Sequence, residues 1–155
     1  MSYHLCCISN LLADDGYKFQ TMTWHRFSQL DRAEAIATVS ARTLNNIRVT
    51  RKTLWHCGTH GWGYRVSSNL FPLLTYDVAQ LKLEDYPDYN DIMATLADCA
   101  SVVNDYDIRV SCHPDQFNVL ASTGQAQVDK TIVELNHHGW LMDRLTDMVG
   151  CHRDY

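Results

Sequence analysis

Eight consecutive residues, Val110-Ser111-Cys112-His113-Pro114-Asp115-Gln116-Phe117, place an imidazole, a carboxylate, an amide and an aromatic ring within one short stretch. Residues 108–112 read as a strand that runs straight into His113, and the proline behind it stops further pairing. His113 therefore sits at a strand's carboxyl end, where the loops of parallel α/β folds converge on a shared cleft. An imidazole there suits a metal ligand. A lone histidine before proline equally suits a strand terminator whose ring nitrogen is satisfied locally. The Gln116-Phe117 pair that follows suits nucleic acid, because a ring can wedge between bases while an amide fills the gap left by an extruded one. In the alternative, Phe117 packs under its own loop with Val119 and Leu120.

Other histidines offer less. His137 and His138 are adjacent on a predicted helix, so they face different directions and cannot form an i, i+4 metal pair; they read as surface or packing residues. His56 and His60 have that spacing, but Gly58 lies between them at a helix end with no third ligand nearby, which makes the pair incidental. The six cysteines, Cys6, Cys7, Cys57, Cys99, Cys112 and Cys151, follow no zinc or CxxC spacing and read as reduced, buried thiols.

Three strand-then-helix units position these groups. The first strand is expected over residues 5–9, ending at Asn10, with a polar loop through Asp14, Asp15 and Gly16. A long helix begins near Asp31, which forms a capping-box-like start with Glu34. Ile36, Val39, Ile47 and Leu54 keep to one face of it, and Gly58 and Gly61 end it. The second strand is expected over residues 62–67, with a turn at Pro72. A second helix starts near Asp88 with Ile92, Leu96, Cys99 and Val103 toward the core. The last helix, residues 125–149, carries Val128, Ile132, Leu135, Met142, Leu145 and Val149 on a single stripe, with Gly150 as its cap. This alternation predicts helix-covered parallel strands.

Composition sets the outer bounds. The chain has 155 residues, 46 % hydrophobic and 20 % charged, in the range of one globular domain spanning residues 1–155. No apolar run approaches the ~20 residues needed to cross a bilayer, and the first residues lack the marks of a signal peptide, so no membrane partner and a cytoplasmic address are expected. The formal charge of −5 supplies no overall basic field for nucleic acid. A local cluster of His, Arg and bound cations can still reverse the potential inside one cleft.

Alternation along the strands puts Arg109, Ser111 and His113 on one face of the third, and Arg65, Ser67 and Asn69 on the matching face of the second. In a closed barrel that face is the lumen. Two arginines there call for acidic partners or phosphate. Asn10, Asn69 and His113 would ring one rim, as ligands or hydrogen-bonding groups for an oxyanion, or the two asparagines would only cap their loops. A parallel sheet of three strands leaves two open edges, so the chain reads as the opening part of something larger.

The blocks Tyr64-Arg65-Val66-Ser67-Ser68-Asn69-Leu70-Phe71-Pro72 and Arg109-Val110-Ser111-Cys112-His113-Pro114-Asp115-Gln116-Phe117 resemble the ultraviolet-damage endonuclease family. The helix Val128-Asp129-Lys130-Thr131-Ile132-Val133-Glu134-Leu135, with His138 after it, the amino-terminal Ile8-Ser9-Asn10 and the segment Phe27-Ser28-Gln29-Leu30 fit the same pattern. The resemblance covers nearly the whole chain. It implies an α/β fold, namely the amino-terminal part, about three βα units, of an incomplete TIM barrel. It also implies an activity: nicking of ultraviolet-damaged double-stranded DNA on the 5′ side of a photoproduct, with divalent metal ions, commonly manganese.

On that resemblance His113 is a metal ligand and catalytic residue, Gln116 and Phe117 probe the lesion, Asn10 lies near the flipped lesion, and Asn69 takes a rim position where relatives carry His or Ser. Two departures stand out. Most metal ligands of the family come from later strands, so the chain alone is expected to be a poor enzyme or none, and to need a second polypeptide for the rest of the barrel. Cys6 stands where relatives often place tyrosine. The alternatives are a fragment that binds damaged DNA or a partner without cutting, and a metal-dependent barrel resembling sugar isomerases.

Overall fold

The computed structural model describes the backbone of residues 4–5 together with residues 16, 18–114 and 118–146. Its three strands, β1 (His4–Leu5), β2 (Gly63–Val66) and β3 (Val110–Cys112), form one parallel sheet in sequence order. Tyr64 pairs with Val110, Arg65 with Ser111 and Val66 with Cys112, so the expected partition of faces holds in register. The remainder of the expected first strand, residues 6–9, lies outside the described residues.

A one-turn helix, α1 (Trp24–Phe27), precedes the long α2 (Arg32–Thr59). Asp31 caps α2 as expected, accepting from the Ala33 amide at 3.0 Å. Val39, Ile47 and Leu54 are fully buried and Ile36 packs against them from a partly buried position. Gly58 does not end this helix. It lies within the last turn, where a Cβ would come within 2.5 Å of the Tyr106 ring; Gly61, at φ +65°, is the residue that reverses the chain.

After two short 3₁₀ turns, α3 (Tyr89–Asp105) packs Ile92, Leu96, Cys99 and Val103 into the same core as Tyr64 and Val66 of β2. Each of these side chains contributes about 1.5–3 kcal/mol by leaving water, which outweighs any propensity term in fixing the helices on the sheet. Ser40 of α2 fixes the start of α3, donating to the Asp88 carboxylate at 2.7 Å and accepting from its amide at 3.0 Å.

The last helix, α4 (Gln125–Leu145), departs from expectation. Its buried residues are Thr131, His138, Leu141 and Leu145, whereas Ile132 is 43 % and Val133 51 % exposed. Val128, Leu135 and Met142 are only half-buried, and Val149 and Gly150 lie outside the described residues. Polar pairing turned the helix. The Thr131 hydroxyl accepts from the Val119 amide at 3.1 Å and so holds this face inward, while His138 packs beside Glu134 with its ring nitrogens lacking an aligned hydrogen bond among the described residues.

Candidate functional site

His113 stands exposed just past β3, as its position before Pro114 predicts. Its Nδ1 lies 2.6 Å from the Pro114 carbonyl, an atom that can only accept, so Nδ1 carries the proton and Nε2 presents the lone pair. A locally satisfied nitrogen that orients the ring is what the strand-terminator reading expects, and in the neutral ring it leaves Nε2 as an acceptor. Gln116, Phe117 and Asn10 lie outside the described residues.

Asn69 sits three residues beyond the end of β2, beside β3, on a segment whose path is fixed from several directions. Its amide donates to Ser67 Oγ at 3.2 Å. The loop-capping alternative is met by Ser67, leaving the exposed Asn69 side chain outside that turn. Behind it lies Asn46, fully buried in the middle of α2. Asn46 Oδ1 accepts from the Gln20 amide at 2.7 Å, and its Nδ2 faces the carbonyls of Gln20 at 2.9 Å and of Asn69 and Leu70 at 3.3 Å each. One side chain thereby ties the segment before α1 to the segment after β2.

A second brace comes from α4. Phe71 is nearly buried, edge-on to His137 at 5.0 Å and to Trp140 at 5.8 Å, and those two rings stack on each other. His138 Nε2 lies 3.3 Å from Glu134 Oε1, a close charge contact rather than an aligned hydrogen bond. The His138 ring against it holds the Glu134 carboxyl below its ordinary range; burial opposes this, and the Thr75 hydroxyl and the charges of His138 and His137 reinforce it. Burial lowers the His137 pKa, with Glu134 acting the other way. His137 and His138 are therefore packing residues, and His138 is not at the surface.

Sequence reasoning missed Asn46, and it named Glu134 and Phe71 only within the resembling blocks, without a role. The signal was present for the first of these. Thr43, Asn46, Thr50 and Thr53 recur at helical spacing beside the apolar stripe, and all four are buried. Of that row only Asn46 reaches loop backbone: Thr53 bonds back to the Val49 carbonyl of its own helix, and the Thr43 and Thr50 hydroxyls have no hydrogen-bond partner among the described residues.

Other clusters carry no site. His60 Nδ1 lies 2.8 Å from the His56 carbonyl and both rings pack near Trp62, so the pair closes the end of α2. Cys57 and Cys99 are free buried thiols pushed up by burial to about 11 and about 12, and the free, half-buried Cys112 is also raised by burial. Cys6, Cys7 and Cys151 lie outside the described residues. Arg65 Nε on the sheet is buried with no hydrogen-bond partner among the described residues, while Arg109 is exposed. Among the described residues no three His, Cys, Asp or Glu side chains converge to hold a metal ion, so the groups present do not by themselves form the metal centre that the resemblance implies. No described helix is long and apolar enough to cross a membrane.

Next to Asn69 a cleft of about 500 Å³ opens between the segment after β2 and α4. Asn69, Thr75, Asn118 and Lys130 are among the groups around it.

Comparison with known proteins finds relatives along nearly the whole chain. The UV DNA damage endonuclease of Bacillus velezensis is 28 % identical over 133 residues, covering 84 % of this chain and 40 % of the relative. That of Nostoc sp. is 28 % identical over 150 residues, covering 96 % and 43 %. The crystal structure of SacUVDE superposes with a TM-score of 0.73 at 25 % identity, covering 94 % of this chain and 46 % of that one. The chain thus spans less than half the length of these relatives. The shared fold is mixed α/β with a parallel sheet, and the sugar-isomerase alternative gains nothing from these matches. Residues 2–148 match the family described as UV-endonuclease UvdE, and the chain belongs to that family.

Proposed function

We propose that this chain forms the amino-terminal βα units of an incomplete TIM barrel, residues 1–155 making one partial domain, and that its rim engages ultraviolet-damaged double-stranded DNA. The reaction it serves is cleavage of the backbone on the 5′ side of a photoproduct. His113 carries the reading: an exposed imidazole at a strand's carboxyl end, with its tautomer set by Pro114, in a chain of the UV-endonuclease family. Asn69 contacts the DNA from that rim, and Asn10, Gln116 and Phe117, outside the described residues, are the proposed lesion contacts.

Divalent ions, manganese foremost, are the proposed cofactor, with His113 as one ligand and the others supplied from outside the described residues. In this reading the chain by itself is a poor enzyme, and the remaining barrel strands come from a second polypeptide. Retention of damaged DNA without cutting is what the lone chain then does.

A nicking assay on irradiated duplex with manganese tests this. Cutting is expected when the chain is mixed with a polypeptide carrying the carboxyl-terminal half of a relative, and His113→Ala should abolish it. Cutting by the lone chain would sink the claim that further ligands are required. Absence of both cutting and damage-selective retention would sink the DNA reading.

A further inference from the structure

We propose that the cleft between the segment after β2 and α4 holds one unstacked nucleotide, its base inside and its phosphate toward Lys130. The inference rests on the DNA reading above and adds to it a second contact site beside the rim.

Size comes first. About 500 Å³ lies within the ~300–1,000 Å³ of small-ligand sites and admits a single nucleoside, not a duplex. The walls suit a base. Tyr76, 39 % exposed and backed by the Trp24 ring at 5.7 Å, offers an aromatic face beside Pro72. Asn69 and Asn118 bring amides, which both donate and accept and so match the edges of any base, and Asn118 Nδ2 is buried with no hydrogen-bond partner among the described residues.

Charge then narrows the class. Lys130 is the cation of the cleft, opposed by Asp77 and by Glu134, and Glu134 is already engaged with His138 and Thr75. A free phosphate or a polyanion gains little there, whereas a neutral heterocycle bearing one phosphate at the Lys130 side is accommodated.

The wall is also built in advance of any ligand. Asn46 holds the carbonyls of Asn69 and Leu70, the His137 and Trp140 rings hold Phe71, and Leu73 is kept at φ +61°, a left-handed conformation that a leucine adopts only when its surroundings impose it. Preformed walls lower the ordering cost of binding.

The full chain labelled with ¹⁵N, free of DNA and metal, is titrated with thymidine, with thymidine 5′-monophosphate and with inorganic phosphate in separate arms. Thymidine should move the backbone amide signals of Asn69, Thr75 and Asn118, the monophosphate should bind more tightly, and phosphate alone should move nothing there. Tyr76→Ala, checked for folding by circular dichroism, should weaken thymidine binding about tenfold, the loss of one base-aromatic stack. No response of the folded wild-type chain to thymidine, an equal response to phosphate, or indifference to Tyr76→Ala overturns the proposal. Retention of irradiated duplex is measured in parallel: DNA retained without a thymidine response sinks the cleft alone, and a thymidine response without DNA retention supports the cleft and sinks the reading it rests on.

Discussion

Asn46 is fully buried and bonds backbone groups of three residues, Gln20, Asn69 and Leu70, so its truncation removes their shared tie and leaves the buried Leu70 carbonyl without that donor. Asn46→Ala should therefore cost about 2–4 kcal/mol in urea unfolding, more than an ordinary exposed asparagine. Local amide exchange at Gln20 and Leu70 should rise with it, because those segments lose their shared tie. His137 makes a different prediction. Its folded pKa is lowered, so the unfolded chain binds the proton more readily, and the stability this contributes is present above pH 6.5 and declines as pH falls below it. Glu134, also lowered, adds a second loss as pH falls below 4.5. A melting-temperature profile should show the upper step in the wild type and a smaller one in His137→Phe, which keeps a ring against Phe71 and Trp140 but has no proton to gain; His56, also lowered by burial, supplies the remainder.

At the level of elements, α4 is the instructive case. Leu145 of the expected stripe is buried, but its apolar residues at 128, 132, 135 and 142 are not, and the face turned inward is centred on Thr131, His138 and Leu141. Periodicity counts apolar residues without knowing where a loop amide or a carboxylate waits for a partner. The rotation is testable by contrast: Leu141→Ala should cost about 2–5 kcal/mol, while Ile132→Lys should stay within about 0.5 kcal/mol. The reverse order would mean that the stripe read from the sequence is the buried one. In α2, Gly58→Ala should cost about 1–3 kcal/mol, because the new methyl meets the Tyr106 ring and not open space.

For the whole molecule, a net charge of −5 means that the surface as a whole repels the DNA backbone. Under the proposed function, selectivity for damage would then come from local contacts, since nonspecific phosphate attraction is weak. Irradiated duplex should be retained at moderate salt and unirradiated duplex of the same sequence should not, with a shallow dependence of affinity on salt concentration in a filter-binding series. A steep salt dependence with no preference for damage would mark a general polyanion binder. The three parallel strands in sequence order, each followed by helix, are the scale on which the resemblance to SacUVDE rests.

From the chain alone came the three strand-helix units, the Asp31 cap, the core faces of α2 and α3, the placement of His113 after β3 and the family. These follow from local rules: a proline that ends pairing, a carboxylate that caps, and apolar spacing that matches the helical period. Tertiary structure decided the rotation of α4, the role of Asn46 as a tie between two loops, the Glu134-His138 contact and the cleft beside Asn69. Those depend on partners 23 to 26 residues away in the case of Asn46, and on segments brought together only by the packing of two helices on a sheet. The polar row of α2 shows by its spacing that Asn46 faces inward, but the identity of partners so far away in the chain leaves no local pattern, so packing had to settle it.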